Sequence, residues 1–291
     1  MYQTLSSNSK IKLIECPRDA MQGWPHFIPT EKKIQYINAL LKVGFDTIDF
    51  GSFVSPKAIP QMADTGKLIG NLQLANSKSK LLAIIANERG AQDAVVFDKI
   101  SYLGFPFSVS ETFQKRNTNS TIEQSLRRVE AIQDLCKKNN KELVVYISMG
   151  FGNPYNDLYD EALVFSWVKK LAGLDIKIIS LADTVGLATP NQVNRITKYL
   201  VNALPEIEIG VHLHSTPANW KLKLDAVLQA GCLRFDGALK GIGGCPMAGD
   251  DLVGNMDTEL MIPYFSALNM LDNIDMEALK ECNALANSIF I

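Results

Sequence analysis

The sequence predicts an α/β protein of the (β/α)₈, or TIM, barrel class: one domain over residues 1–291 with a helix appended at its C-terminus. Three observations carry this reading. Short apolar, β-branched runs alternate with longer helical patterns along the whole chain, the signature of parallel strands joined by crossover helices. Eight such runs can be found, the number that closes a barrel. No G-x-G-x-x-G turn opens the first helical stretch and no shift in composition divides the chain, so a closed barrel fits better than an open doubly wound sheet.

In chain order the runs are 12–16, 47–51, 81–86, 100–104, 143–148, 176–181, 207–212 and 234–238. The first leads into Pro17-Arg18-Asp19, the second carries Asp49 and is followed by Ser52, and the sixth leads to Asp183-Thr184. The seventh closes on His212-Leu213-His214, and the eighth opens onto Gly241-Ile242-Gly243-Gly244-Cys245-Pro246. Between the runs, 30–43 reads as a helix with Thr30 as N-cap ahead of Glu31, and 121–139 as another with Thr121 ahead of Glu123 and Gln124. Residues 275–291 form the appended helix, and no low-complexity linker marks an internal boundary.

Composition bounds the function. With 29 basic and 31 acidic residues the formal charge is −2, which offers no broad electrostatic surface to nucleic acid or to an anionic membrane, so an anionic substrate has to be held locally. The first ten residues are polar, without an apolar signal core or an Arg-rich amphipathic helix, and no run of about 18 apolar residues follows; the expectation is a cytosolic protein. Five cysteines, with no C-x-x-C pair, fit reduced thiols better than a disulfide framework.

In such barrels the chemistry sits at the carboxyl ends of the strands, and polar residues just beyond each run carry the weight. Two histidines of only three stand two apart at the end of the seventh run, a spacing that puts both imidazoles on one face. A carboxylate such as Asp19 and an amide such as Asn255 would add oxygen ligands, a mixed set that suits Mg²⁺, Mn²⁺ or Zn²⁺ and leaves a position open to substrate. The glycines after the eighth run allow close approach of backbone to a ligand. Within them Cys245 reads either as a proton donor or nucleophile or as a small residue in a tight turn, and local sequence alone favours the turn. Asp183-Thr184-Val185-Gly186 reads as a turn that supports the site. His26 belongs to the rim, and the basic stretch 78–80 is a solvated face.

Taken together these segments resemble the 3-hydroxy-3-methylglutaryl-CoA lyases, metal-dependent TIM barrels grouped with isopropylmalate and homocitrate synthases. The resemblance spans nearly the whole chain. It rests on Pro17-Arg18-Asp19-Ala20-Met21-Gln22 against that family's P-R-D-G-L-Q, on Ser52-Phe53-Val54-Ser55-Pro56-Lys57 with Pro60-Gln61-Met62-Ala63-Asp64, on Ser180-Leu181-Ala182-Asp183-Thr184-Val185-Gly186, on His212-Leu213-His214, and on Gly243-Gly244-Cys245-Pro246. It implies Asp19, His212, His214 and Asn255 as ligands of a divalent metal, Mg²⁺ or Mn²⁺ ahead of Zn²⁺. Arg18 would face the thioester carbonyl, and Cys245 would lie on the catalytic loop, which reverses the local reading of that cysteine. The candidate catalytic residues are therefore Arg18, Asp19, Asp49, His212 and Cys245, and the candidate substrate contacts are Arg18, Gln22, Ser52 and Asp183. An acyl-CoA substrate, a homodimer and a place in leucine degradation and ketone-body metabolism follow from the same resemblance.

The chain also departs from the family. Asp49 stands where the lyases have glutamate, Ser215 replaces the aspartate after the second histidine, and Asn255 lies one residue further from Cys245 than usual. The family's acidic residue four before the arginine is here Ile14, and Glu15 reaches the same side only if the strand end is irregular. The implied reaction is a retro-Claisen cleavage to acetoacetate and acetyl-CoA, with Arg18 on the enolate oxygen, His212 or Asp19 relaying protons and Cys245 protonating the enolate carbon. Two other readings compete: a condensing enzyme of the same barrel group, and a non-catalytic metal-binding barrel.

Overall fold

A computed structural model describes residues 9–244 and 253–291. Eight strands, β1 (Lys12–Glu15), β2 (Thr47–Ser52), β3 (Lys80–Ile84), β4 (Ile100–Ser108), β5 (Glu142–Ser148), β6 (Ile178–Ala182), β7 (Glu208–His212) and β8 (Arg234–Gly237), pair in parallel in chain order. β1 pairs with both β2 and β8 and so closes the barrel. Each predicted run falls on one of these strands. β4 continues beyond residue 104 because its last residues pair with β5 alone, up to Ser108 opposite Ser148, and an N–H-less Pro106 is tolerated where only one neighbour is served.

The strands are buried on both faces, which is why they read as continuous apolar runs and not as alternating ones. A small cluster of Leu82, Tyr102, Val144, Tyr146 and Ile178 fills the barrel interior, and a larger core that includes Leu13, Ile48, Phe105 and Leu181 lies between sheet and helices. A packed interior makes the barrel a core and not a pore, and in this fold sites lie at the carboxyl-end rim.

Local signals set the helix ends. Thr121 caps the helix Ile122–Lys138 through a capping box with Gln124, as its sequence predicts. Thr30 differs from expectation: it is the first residue of the helix Thr30–Val43, whose N-cap is Pro29, and it makes no capping bond. The appended helix is Met276–Ile289, capped by Asp275, and it packs on the Thr30–Val43 helix, with Phe290 edge-on to Tyr36. None of the helices among the described residues is long and apolar enough to cross a membrane.

Candidate metal centre at the barrel mouth

Immediately after β1 the chain turns into a short helix, Pro17–Gln22, with Pro17 in its first turn, where a missing N–H costs nothing. This turn lays Arg18 and Asp19, both buried, across the mouth. Arg18 Nε donates to both oxygens of Asp49, at 3.2 and 3.0 Å, its NH2 donates to Asp49 Oδ2, and its NH1 donates to Asp19 Oδ1 at 3.0 Å. The guanidinium is therefore locked between two carboxylates. Burial opposes ionisation of Asp19, but Arg18, His212 and the hydrogen bond from Asn255 outweigh it and hold its pKa down at about 2. Asp49 goes the other way, raised to about 6 because burial outweighs Arg18.

β7 ends on His212, and two residues on, His214 forms an antiparallel bridge with Asn255. One ligand atom from each of Asp19, His212 and His214 lies within 4.8 Å of the others. His212 Nδ1 sits 3.1 Å from Asp236 Oδ2, which leaves Nε2 as the nitrogen open to a ligand. Burial works against a charged His212, yet the hydrogen bond and charge of Asp236 raise its pKa. His214 is pushed down to about 3 by burial and by His212, and so stays neutral, the form that ligates metals. Asn255 Nδ2 donates to Asp19 Oδ2 at 2.7 Å and to the Ile242 carbonyl at 2.9 Å, and its Oδ1 is buried with no partner among the described residues.

This donor set fits a divalent cation: one ionised carboxylate, two imidazoles and an amide oxygen whose only unmet need is a positive or protic neighbour. Gly243 lies against Asp19 and Asn255 with φ of 112°; a Cβ there would collide with the Asn255 amide, so both conformation and space require glycine. Cys16, His212 and Asp236 also approach one another. However, burial followed by the surrounding carboxylates raises the Cys16 thiol well above its ordinary range, and a thiol held protonated is a poor ligand.

The remaining predicted residues are placed unevenly. Gln22 Nε2 donates to Asp19 Oδ1 at 2.9 Å and so supports that carboxylate. Ser52 ends β2, with its Oγ accepting from Val54 N at 3.3 Å. Asp183 is buried, with its Oδ2 paired to Lys223 Nζ at 2.7 Å and its Oδ1 accepting from Ala188 N at 3.0 Å. Lys223, buried on the helix Trp220–Gln229, also donates to the His214 carbonyl at 2.7 Å and so links Asp183 to the histidine segment. Cys245 lies outside the described residues. β1 is regular, and Glu15 shares the helix-facing side with Leu13, so it does not enter the mouth where Ile14 stands in place of an acid. Reasoning from sequence missed Asp236 and Lys223. The first had a signal, an aspartate inside a buried strand; a lysine on a helix has none.

The described residues thus form a (β/α)₈ barrel with a cluster of nitrogen and oxygen donors that could hold a metal ion at its carboxyl-end mouth. Residues 10–286 match the HMGL-like family, and the chain belongs to it. It is 31% identical over 273 residues to the cytoplasmic 3-hydroxy-3-methylglutaryl-CoA lyase of Rattus norvegicus, covering 93% of this chain and 78% of the relative. It is 31% identical over 263 residues to hydroxymethylglutaryl-CoA lyase YngG of Bacillus subtilis, covering 90% and 87%. A mitochondrial lyase of Rattus norvegicus is 30% identical over 284 residues, covering 95% of this chain and 86% of the relative, so the relatives occupy two compartments. Among solved structures, an HMG-CoA lyase from Acinetobacter baumannii in complex with coenzyme A and 3-methylmalate superposes with a TM-score of 0.90 at 32% identity, covering 99% of this chain and 93% of that one.

Proposed function

We propose that this chain is a carbon–carbon lyase that cleaves 3-hydroxy-3-methylglutaryl-CoA to acetoacetate and acetyl-CoA, with Asp19, His212, His214 and Asn255 holding Mg²⁺ or Mn²⁺. The observation that carries the reading is the convergence of Asp19, His212 and His214, with the Asn255 amide bonded to Asp19, beside the Arg18–Asp49 fork. A bound divalent cation supplies charge stabilisation and a template for an oxygen-rich substrate.

The chain's own residues do the rest. Three N–H groups of Arg18 are anchored on Asp49 and Asp19, and the other donors of a five-donor guanidinium remain for the thioester oxygen. Because the fork is fixed before substrate arrives, little reorganisation accompanies the growth of charge on that oxygen. The C3 hydroxyl loses its proton, the C2–C3 bond breaks, C3 becomes the ketone of acetoacetate, and the electron pair becomes the enolate of acetyl-CoA. His212 or Asp19 relays the proton: a carboxylate held at about 2 is a weak base, and an imidazole that ligates through Nε2 with Nδ1 on Asp236 has no free nitrogen while the metal is bound. Cys245, by family resemblance, returns a proton to the enolate carbon.

The test is direct. Purified protein is incubated with 3-hydroxy-3-methylglutaryl-CoA and Mg²⁺ or Mn²⁺, with and without chelator, and acetoacetate and acetyl-CoA are measured. Metal-dependent, equimolar release of both is expected. No release, or instead the consumption of acetyl-CoA with an oxo acid, refutes the reading. Family resemblance also supports a homodimer, which light scattering coupled to gel filtration checks.

A further inference from the structure

Glu15 has no part in the chemistry proposed above, yet its side chain is wholly buried among the barrel-packing helices. An apolar residue would be cheaper there, since taking a carboxyl out of water costs free energy that only good hydrogen bonds offset. Both of its oxygens are used. Oε1 accepts from the backbone N–H of Leu239 at 2.9 Å, and Oε2 accepts from the hydroxyl of Thr258 at 2.6 Å.

These partners lie on the two limbs of one segment. Leu239 follows β8 as the chain leaves the barrel, and Thr258 stands three residues after Asn255 as the chain returns to open the helix Thr258–Ala267. The limbs also touch each other: Ala238 N donates to the Met256 carbonyl at 3.0 Å, and Thr258 N donates to the Ala238 carbonyl at 3.1 Å. The returning limb pairs with the histidine segment through Met256 N to the Leu213 carbonyl at 3.0 Å and Ser215 N to the Gly254 carbonyl at 2.9 Å. At the other end of Glu15's own segment, four residues on, is Asp19.

We propose that Glu15 is a positioning residue whose carboxyl ties the end of β1 to both limbs of this segment and so holds the Asn255 amide against Asp19. The inference rests on the reading of Asp19 and Asn255 as metal ligands. Burial, only partly offset by Thr258 and Leu239, raises the Glu15 pKa to about 8, which makes glutamine a near-isosteric stand-in for its neutral form.

The experiment compares Glu15→Gln, Glu15→Ala, Thr258→Val and a His214→Ala control. Free Mn²⁺ is titrated by electron paramagnetic resonance without substrate, at a temperature where circular dichroism shows each protein folded, and kcat and KM are measured alongside. Glu15→Gln keeps an acceptor for the Leu239 N–H and offers its amide N–H to the Thr258 hydroxyl, which can rotate to accept it, and is expected to bind Mn²⁺ like the wild type. Glu15→Ala is expected to lose about 10–100-fold in Mn²⁺ affinity, the range typical of residues that orient metal ligands. Thr258→Val, which preserves shape and removes one arm of the clamp, is expected to weaken binding in the same direction. Glu15→Ala folded and with wild-type Mn²⁺ affinity overturns the proposal. Should Glu15→Ala fail to fold, Thr258→Val decides, and unchanged affinity there overturns it equally. Wild-type Mn²⁺ binding by His214→Ala would instead bring down the metal reading, and this inference with it.

Discussion

Replacing Arg18 by glutamine separates the metal from the chemistry. The guanidinium is buried between Asp19 and Asp49, so removing it looks at first like an invitation to unfold or to lose the cation. The surroundings say otherwise. Asp49 already titrates at about 6, with burial raising it and Arg18 holding it back, so without Arg18 it takes up a proton near neutrality and no unpaired buried charge is left. One positive charge is removed and one negative charge neutralised, and the net charge of the pocket is unchanged. Asp19 loses the Arg18 charge that does most to hold its pKa at about 2, but keeps its bonds from Gln22 at 2.9 Å, from Asn255 at 2.7 Å and from Gly244 N at 3.3 Å, and a bound divalent cation favours its ionised form at pH 7.5. Metal content measured by atomic emission should therefore match the wild type. Turnover should not. A preorganised donor on a developing oxyanion contributes about 2.7–4 kcal/mol, so kcat/KM for 3-hydroxy-3-methylglutaryl-CoA should fall by about 10²–10³-fold. A fully loaded variant within threefold of wild type, a loss of roughly 0.6 kcal/mol or less, would refute the placement of Arg18 on the thioester oxygen.

His212→Ala and His214→Ala should each lose bound metal and activity together, because each removes one of few ligands; full metal occupancy in both would end the ligand assignment. Cys245→Ser should fold and bind metal but turn over about 10²–10⁴-fold more slowly, since an alcohol is a much weaker acid than a thiol; near-normal kcat at saturating metal and substrate removes Cys245 from the mechanism. The raised Glu15 pKa carries a pH signature. Folded protein keeps a proton that the unfolded chain releases above the ordinary value of 4.5, so between there and about 8 this residue makes stability fall as pH rises, by up to about 1.4 kcal/mol per pH unit. Urea midpoints from pH 5 to 8 should therefore decline more steeply for wild type than for Glu15→Gln, and parallel slopes would contradict a Glu15 that stays neutral in the folded state.

Much of the molecule was legible in the amino-acid order alone, because the relevant signals are local. Eight apolar runs separated by helical stretches mark eight buried parallel strands, and both the Thr121 capping box and the His212-Leu213-His214 spacing lie within a few residues of chain. Family motifs added Asp19 and Asn255, residues that meet although 236 positions separate them. What the sequence could not decide is which way each buried polar group turns once the barrel closes. Nothing local marks Lys223, which gains its role only when the helix Trp220–Gln229 packs it onto Asp183 and the His214 carbonyl. Asp236 becomes the partner of His212 only because β7 and β8 pair in register at that level. Glu15 was open to two readings, and the regular pleat of β1 settles it: the side chain faces the helices with Leu13, where Leu239 and Thr258 meet it, and Ile14 is left at the position an acid would need. The orientation of a side chain two or three bonds off the backbone is set by neighbours far away in the chain, and those neighbours exist only in the folded barrel.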